Sequence, residues 1–101
     1  EGIIAISENI AINTTTFIEQ IEPYTTIEDA LQVYEEQRKQ PETHNVSYYI
    51  DMSNYFRKWG DIYSYKILSD LYRQAKNNPR ILKTIAFVLE EREHLEQTND
   101  F

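Results

Sequence analysis

From Phe17 onward, large apolar residues return every three or four positions, and polar punctuation cuts this pattern into blocks of helical length. Phe17, Ile18 and Ile21 form a short first block that Pro23 ends, because the residue before a proline is pushed out of the helical region. Thr25 or Thr26 can cap the next helix, with Glu28 or Asp29 three residues on in a capping-box arrangement. Ile27, Ala30, Leu31 and Tyr34 then fall at i, i+3, i+4 and i+7. They predict an amphipathic helix to about Gln40, with Glu35 and Lys39 pairing on its outer face. Pro41 stops it, and Glu42 to Asn45 reads as a loop whose last residue can cap the helix that follows.

From Val46 to Trp59 the apolar set is Tyr48, Tyr49, Met52, Tyr55, Phe56 and Trp59, and Gly60-Asp61 supplies a turn. The next block places Ile62, Tyr65, Leu68, Leu71, Tyr72 and Ala75 on one side, with Lys66 and Asp70 paired outside, until Asn77-Asn78-Pro79 breaks it. After Pro79, Leu82, Ile85, Ala86 and Leu89 share a face that Ile81 and Val88 widen. Glu90 to Phe101 is polar apart from Leu95 and Phe101. Residues 1–16, with Ile3, Ile4, Ala5, Ile6, Ile10 and Ile12 before a run of threonines, are β-branched enough to favour an extended arm or linker. The expectation is all-α: an arm over 1–16, then a helical domain over 17–101 whose short loops make successive helices antiparallel hairpins.

Composition narrows what such a domain can do. The 101 residues carry 10 Lys plus Arg against 17 Asp plus Glu, a net charge of -7, and no Cys. There is thus no disulfide framework, no thiolate metal site and no cysteine nucleophile. The aromatic content, 13% with eight Tyr, argues for a packed core rather than disorder. The longest apolar run, Ile3 to Ile6, is far short of the roughly 20 residues of a bilayer span, so no membrane insertion is expected. Scattered, outnumbered cations argue against a nucleic-acid partner. Asn13-Thr14-Thr15 and Asn45-Val46-Ser47 fit the glycosylation triplet but read as turn or cap residues.

The helix from Val46, the Gly60-Asp61 turn, the helix from Ile62 and the Asn77-Asn78-Pro79 break together make a unit of about 33 residues, after which the next helix begins on schedule. This unit resembles a tetratricopeptide repeat. Tyr49 stands at the first large aromatic position, Met52 at the Leu, Ser53 at the adjacent small residue, Phe56 at the Tyr and Gly60 at the turn. Leu82, Ile85, Ala86 and Leu89 take equivalent places in the following unit, and Ala30 and Tyr34 match the packing positions of a preceding second helix. Tyr65 and Tyr72 depart from the pattern where small residues are usual, as does Glu93 at the turn glycine. The resemblance covers about Thr25 to Glu96 and implies a short α-solenoid of hairpins whose first helices line a concave groove. Tyr55 to Asp61 with Ile67 to Leu71 is also similar to helical repeats of bacterial proteins that combine vault/inter-alpha-trypsin and von Willebrand A-type domains. That similarity implies a domain fragment of a bacterial cell-envelope or periplasmic protein.

Aligned on the repeat, Asp51, Asn54 and Lys58 of one unit and Lys83, Phe87, Glu90 and Glu91 of the next face the groove and are the candidate partner-binding residues. The dicarboxylate clamp of chaperone-binding members has Lys followed four residues later by Asn; here Phe87 follows Lys83. Tyr34, Tyr49, Tyr55, Tyr65 and Tyr72 lie on stripes expected to be buried, whereas Tyr48 and Tyr63 lie off them and are candidates for exposed contacts. Glu91 and His94 have the Glu-x-x-His spacing of two-metal carboxylate sites, but the motif occurs once and His44 has only Glu42 near it. No nucleophile elbow, phosphate loop or His-Glu-x-x-His motif is present.

These features lead to an expected non-catalytic protein-interaction or scaffolding module, without cofactor or metal, that binds a protein or peptide in a concave groove. A structural spacer of a larger envelope protein, with Ile3, Ile4 and Ile6 as a docking arm, is the alternative. A small acidic inhibitor or nucleic-acid mimic ranks last, because signs are mixed along the helices, as in Glu35 with Lys39 and Arg92 with Glu96. A final unit left without its polar cap would expose Leu89, Leu95 and Phe101 and favour self-association.

Overall fold

The computed structural model describes residues 14–98 except residue 76, with side chains described as far as residue 93. Five helices follow one another: α1 (Thr15–Ile21), α2 (Ile27–Gln37), α3 (Val46–Tyr55), α4 (Asp61–Ala75) and α5 (Pro79–Thr98). Short 3-10 turns at Pro41–Thr43 and Phe56–Trp59 lead into α3 and α4, and no strand occurs among the described residues. No described helix is long and apolar enough to cross a membrane. Most of the expected arm, including Ile3, Ile4 and Ile6, lies outside the described residues. Its last three residues are the turn at Thr14 and the first two positions of α1.

Each boundary has a local cause. Thr26, in extended backbone, accepts from the Asp29 amide at 3.3 Å and starts α2. The helix stops at Gln37 rather than near Gln40, because the Thr43 hydroxyl donates to the carbonyls of Gln37 (3.0 Å) and Gln40 (2.9 Å) and holds the chain in a tighter turn before Pro41. Asn45 caps α3 through the Ser47 amide at 2.8 Å. Asn78 accepts from the amides of Arg80 and Ile81 to start α5, where Pro79 occupies the first position that needs no donor. The helix expected over Val46 to Trp59 tightens to 3-10 geometry at Phe56. Gly60 then reverses the chain at φ 132°, a backbone conformation side-chain-bearing residues rarely adopt.

Helices α3 and α4 form an antiparallel hairpin: the Gln74 amide donates to the Tyr49 hydroxyl at one end, and Arg57 pairs with Asp61 at the other. Helix α4 shows different faces to its other neighbours. Lys66 and Asp70 meet Glu35 and Arg38 of α2 in the same order along both helices, so α2 and α4 run parallel. Ser64 instead turns to Arg92 of α5.

The core is aromatic. Tyr48 stacks on Tyr34 at 6.3 Å and meets Phe17 and Tyr49 edge-on, and Phe56 packs between Tyr34 and Trp59. Ile21, Ala30, Met52, Ile67, Leu71, Ile81 and Ile85 complete it. The indole N–H of Trp59 donates to the Thr25 carbonyl at 3.2 Å, tying the turn after α3 to the residue ahead of the α2 cap.

Several sequence expectations are corrected here. Tyr48, expected at the surface, is fully buried: its hydroxyl donates to Gln37 Oε1 at 2.8 Å, while Gln37 Nε2 donates to the Phe17 carbonyl and to Gln20. Tyr63, the other off-stripe candidate, is half-buried against the core. The inward face of α4 is Ser64, Ile67, Leu68, Leu71 and Ala75, with Asp70 buried at its edge. Ile62, Tyr65 and Tyr72, expected inside, are exposed. The stripe is rotated because two polar residues, Ser64 and Asp70, sit inside where Arg92 and Tyr34 satisfy them. In the same way Ile81, Ile85 and Arg92 form the inward face of α5, and Ala86 and Leu89 are exposed. Glu35 pairs with Arg38 and Lys66, and Lys39 with Glu36, in place of a Glu35–Lys39 pair.

Asp70 is the centre of a polar cluster that gathers Tyr34, Arg38, Lys66 and Arg73. Only 1% exposed, it accepts from the Tyr34 hydroxyl at 2.8 Å and pairs with Arg38 at 3.4 Å, Lys66 at 3.1 Å and Arg73. The Lys66–Asp70 pair is therefore half inside, not on the outer surface as expected.

Burial, reinforced by Asp70, holds the Tyr34 hydroxyl far above the ordinary tyrosine value of 10.0, and burial with the neighbouring Tyr49 does the same for Tyr48. An unfolded tyrosine ionises near pH 10, so above that pH the unfolded chain has released protons that the folded one retains. The stabilisation from each raised value is complete below pH 10 and is lost as pH rises, by about 1.4 kcal/mol per pH unit per tyrosine. Urea midpoints should therefore fall steeply above pH 10, at about half the slope in Tyr48→Phe; a midpoint independent of pH up to 11.5 would contradict the buried placement.

Candidate functional site

Asn54 of α3 and Phe87 of α5, both candidate contacts, come together in a groove that α3 and α5 form side by side. Ile50, Asn54 and Arg57 line one wall, and Phe87, Glu91 and Arg92 the other. Its volume is about 160 Å³, below the roughly 300–1,000 Å³ of pockets that enclose drug-sized ligands. It is sized for a side chain or a chain end. Phe87 is 60% exposed at its rim, an unusual position for a phenyl ring.

The other candidates are placed elsewhere. Asp51 is half-buried and accepts from the Thr14 hydroxyl at 2.6 Å, so its carboxylate fastens the start of α1. Lys58 lies over its own turn, its ammonium 4.8 Å from the ring centroids of Tyr55 and Trp59 and donating to the Tyr55 hydroxyl. Lys83 and Glu90 flank Phe87 on the outer face of α5, in an open depression with Arg80 and Thr84. Glu91 is exposed at the groove rim, while the side chain of His94 lies outside the described residues. Among the described residues no His, Asp and Glu side chains converge as a metal-holding group.

The residue that sequence reasoning missed is Arg92. The sequence pairs it with Glu96, whose side chain lies outside the described residues, on a solvated face; Arg92 is instead only 3% exposed, at the floor of the groove. Its Nη1 donates to the Ser64 hydroxyl, and its Nη2 to the Ser53 hydroxyl at 3.0 Å and to Asn54 Oδ1 at 2.7 Å. All three acceptors are neutral. No carboxylate pairs with this guanidinium among the described residues, and burial, with Arg57 close by, pulls its pKa below the ordinary arginine value.

A buried ion without an opposite charge costs several kcal/mol even after relaxation. The contrast with Asp70, a buried carboxylate with three cations around it, is direct. The sequence did carry a signal: Ile81, Ile85, Val88 and Arg92 continue one stripe at i, i+4, i+7 and i+11, and small polar Ser53 and Ser64 interrupt the facing stripes of α3 and α4.

Exposed apolar side chains also occur outside the groove lining. Ile62, Tyr65 and Tyr72 follow one another along α4 with exposures of 71%, 41% and 51%, and Leu89 of α5 is 40% exposed. Comparison of the chain with known protein families, with characterised proteins and with solved structures finds no match.

Proposed function

We propose that the chain is a non-catalytic protein-interaction or scaffolding module, built of stacked helical hairpins of tetratricopeptide-repeat type, that takes a peptide or partner helix in the groove between α3 and α5. The observation that carries this reading is the convergence of Asn54 and Phe87, from successive units of the repeat, on one groove with an exposed phenyl ring at its rim. The parallel course of α2 and α4, together with the antiparallel α3–α4 hairpin, is what a stack of hairpins requires. Two ion pairs, Arg38–Asp70 and Lys66–Glu35, fasten α2 to α4, which suits a rigid binding platform.

Capture from a lysate by the immobilised chain, compared with an Asn54→Ala/Phe87→Ala variant, tests it. A partner held by the wild type should be lost by at least about tenfold, or 1.4 kcal/mol, with unchanged helical circular dichroism. Equal retention by both would overturn the groove. The exposed Ile62, Tyr65 and Tyr72 of α4 favour one second reading, a spacer that packs its α4 face on a neighbouring domain. Under that reading, neither version retains a partner through the groove.

A further inference from the structure

We infer that the groove between α3 and α5 is a receptor for one carboxylate, delivered by a peptide partner, with Arg92 as its counter-charge, Asn54 as a second donor and Phe87 as an apolar wall. This rests on the interaction reading and gives its partner a chemistry.

The first argument is charge. Arg92 is buried, its three hydrogen bonds go to two hydroxyls and an amide oxygen, and these solvate the guanidinium without neutralising it. A guanidinium has five N–H donors; the Nε–H and one Nη1–H of Arg92 have no acceptor among the described residues. The carboxylates nearby are committed or turned away: Asp61 pairs with Arg57 at 3.3 Å, Asp51 accepts from Thr14, and Glu91 stands exposed at the rim without an ion pair to Arg92. Among the described residues, then, no carboxylate forms an ion pair with this guanidinium, whose Cζ lies 6.0 Å from the Tyr65 ring centroid at the floor of a groove that opens to solvent.

The second argument is geometry. Asn54 Oδ1 is engaged by Arg92, which fixes the side-chain amide beside the guanidinium and leaves its Nδ2 as a donor in the lining of the same groove. Ile50, Val88 and Phe87 line the same groove, so an apolar group next to the carboxylate would be covered as the ion pair forms. Desolvation of that kind is what makes a charge-assisted bond strong.

The third argument selects a monoanion. Arg57 is already balanced by Asp61, which leaves one unmatched charge; Glu90 and Glu91 flank the site, and the chain as a whole carries -7. A phosphate dianion or a nucleic-acid backbone would meet more repulsion than one carboxylate does.

The test is an NMR titration of the wild-type chain with acetyl-Gly-Leu-Gly-Gly as free acid, its C-terminal amide, acetyl-Gly-Leu-Asp-Gly amide, and the same peptide with Asn for Asp or phosphoserine for Asp. Saturating shifts at the Asn54 and Val88 amides and at Arg92 Nε are expected with a carboxylate peptide, about tenfold weaker with its neutral counterpart. The terminal-acid and Asp arms separate a chain end from a side chain as the source. Arg92→Met should abolish the acid preference while Arg57→Gln retains it. Should Arg92→Met fail to fold, Phe87→Ala keeps Arg92 in place and should lower affinity for both members of a pair while the acid preference persists.

Equal response to acid and amide, preference for the phosphoserine peptide, acid preference surviving in Arg92→Met, or no response to any peptide would each overturn the assignment. If capture in the lysate experiment is nevertheless lost by Asn54→Ala/Phe87→Ala, the interaction reading stands and the carboxylate chemistry alone falls.

Discussion

Replacing Asp70 by Ala should destabilise the protein by about 3–5 kcal/mol, a large part of the roughly 5–15 kcal/mol that holds a domain of this size together. The reason is the inventory around the side chain. Its removal leaves the Tyr34 hydroxyl buried without an acceptor and leaves Arg38, Lys66 and Arg73 facing one another across the α2–α4 junction, with Glu35 as their remaining nearby anion. At about 4–8 °C per kcal/mol for a domain this short, the melting temperature should fall on the order of 15–30 °C. Asp70→Asn, which can still accept from Tyr34, should lose less. A double-mutant cycle sharpens the claim: Tyr34→Phe costs about 1 kcal/mol in the wild type and close to nothing once Asp70 is gone, because the hydroxyl has already lost its acceptor. A loss below about 1 kcal/mol for Asp70→Ala, or full additivity in the cycle, would show that the cluster is not what joins α2 to α4.

Tyr48→Ala should cost a comparable amount, about 3–5 kcal/mol. The ring touches Phe17, Tyr34 and Tyr49 and is wholly buried, and its hydroxyl holds the Gln37 amide that in turn ties down α1. Tyr48→Phe isolates the polar part: it keeps the ring and removes one donor, leaving Gln37 Oε1 short, for a loss of about 1–2 kcal/mol. Denaturant unfolding of the two variants separates ring from hydroxyl. If Tyr48→Ala unfolds like the wild type, the residue is at the surface after all, where sequence reasoning had put it.

The misplacement of Tyr48 shows where the sequence was legible and where it stopped. Helix existence, the Pro23, Pro41 and Pro79 breaks and the Thr26 and Asn45 caps were all readable, because each depends on neighbours within four residues. Which side of each helix faces inward was readable only where the stripe was purely apolar, as in Ala30 and Tyr34 of α2. On α4 and α5 the inward faces include Ser64, Asp70 and Arg92. A rule that sends polar residues outward then rotates the helix by a quarter turn and exchanges Tyr65 and Tyr72 for the true interior. The partners that make those polar residues acceptable inside lie 28 to 39 positions away, beyond any local pattern. The same limit divided the candidate site: repeat alignment brought Asn54 and Phe87 to one groove, and missed the guanidinium beneath them.

The bond from Trp59 to the Thr25 carbonyl has a practical consequence. This is the chain's single tryptophan, and it sits where the entry to α2 meets the turn leaving α3, beneath the Lys58 ammonium. Its emission is therefore sensitive to one joint: separation of α2 from the α3–α4 hairpin would break the bond to the Thr25 carbonyl and hydrate the indole, while Lys58, on the same turn, stays beside it. The protein carries its own fluorophore at the seam that Asp70 and Tyr48 hold closed, so opening of that seam can be followed in real time without attaching a dye.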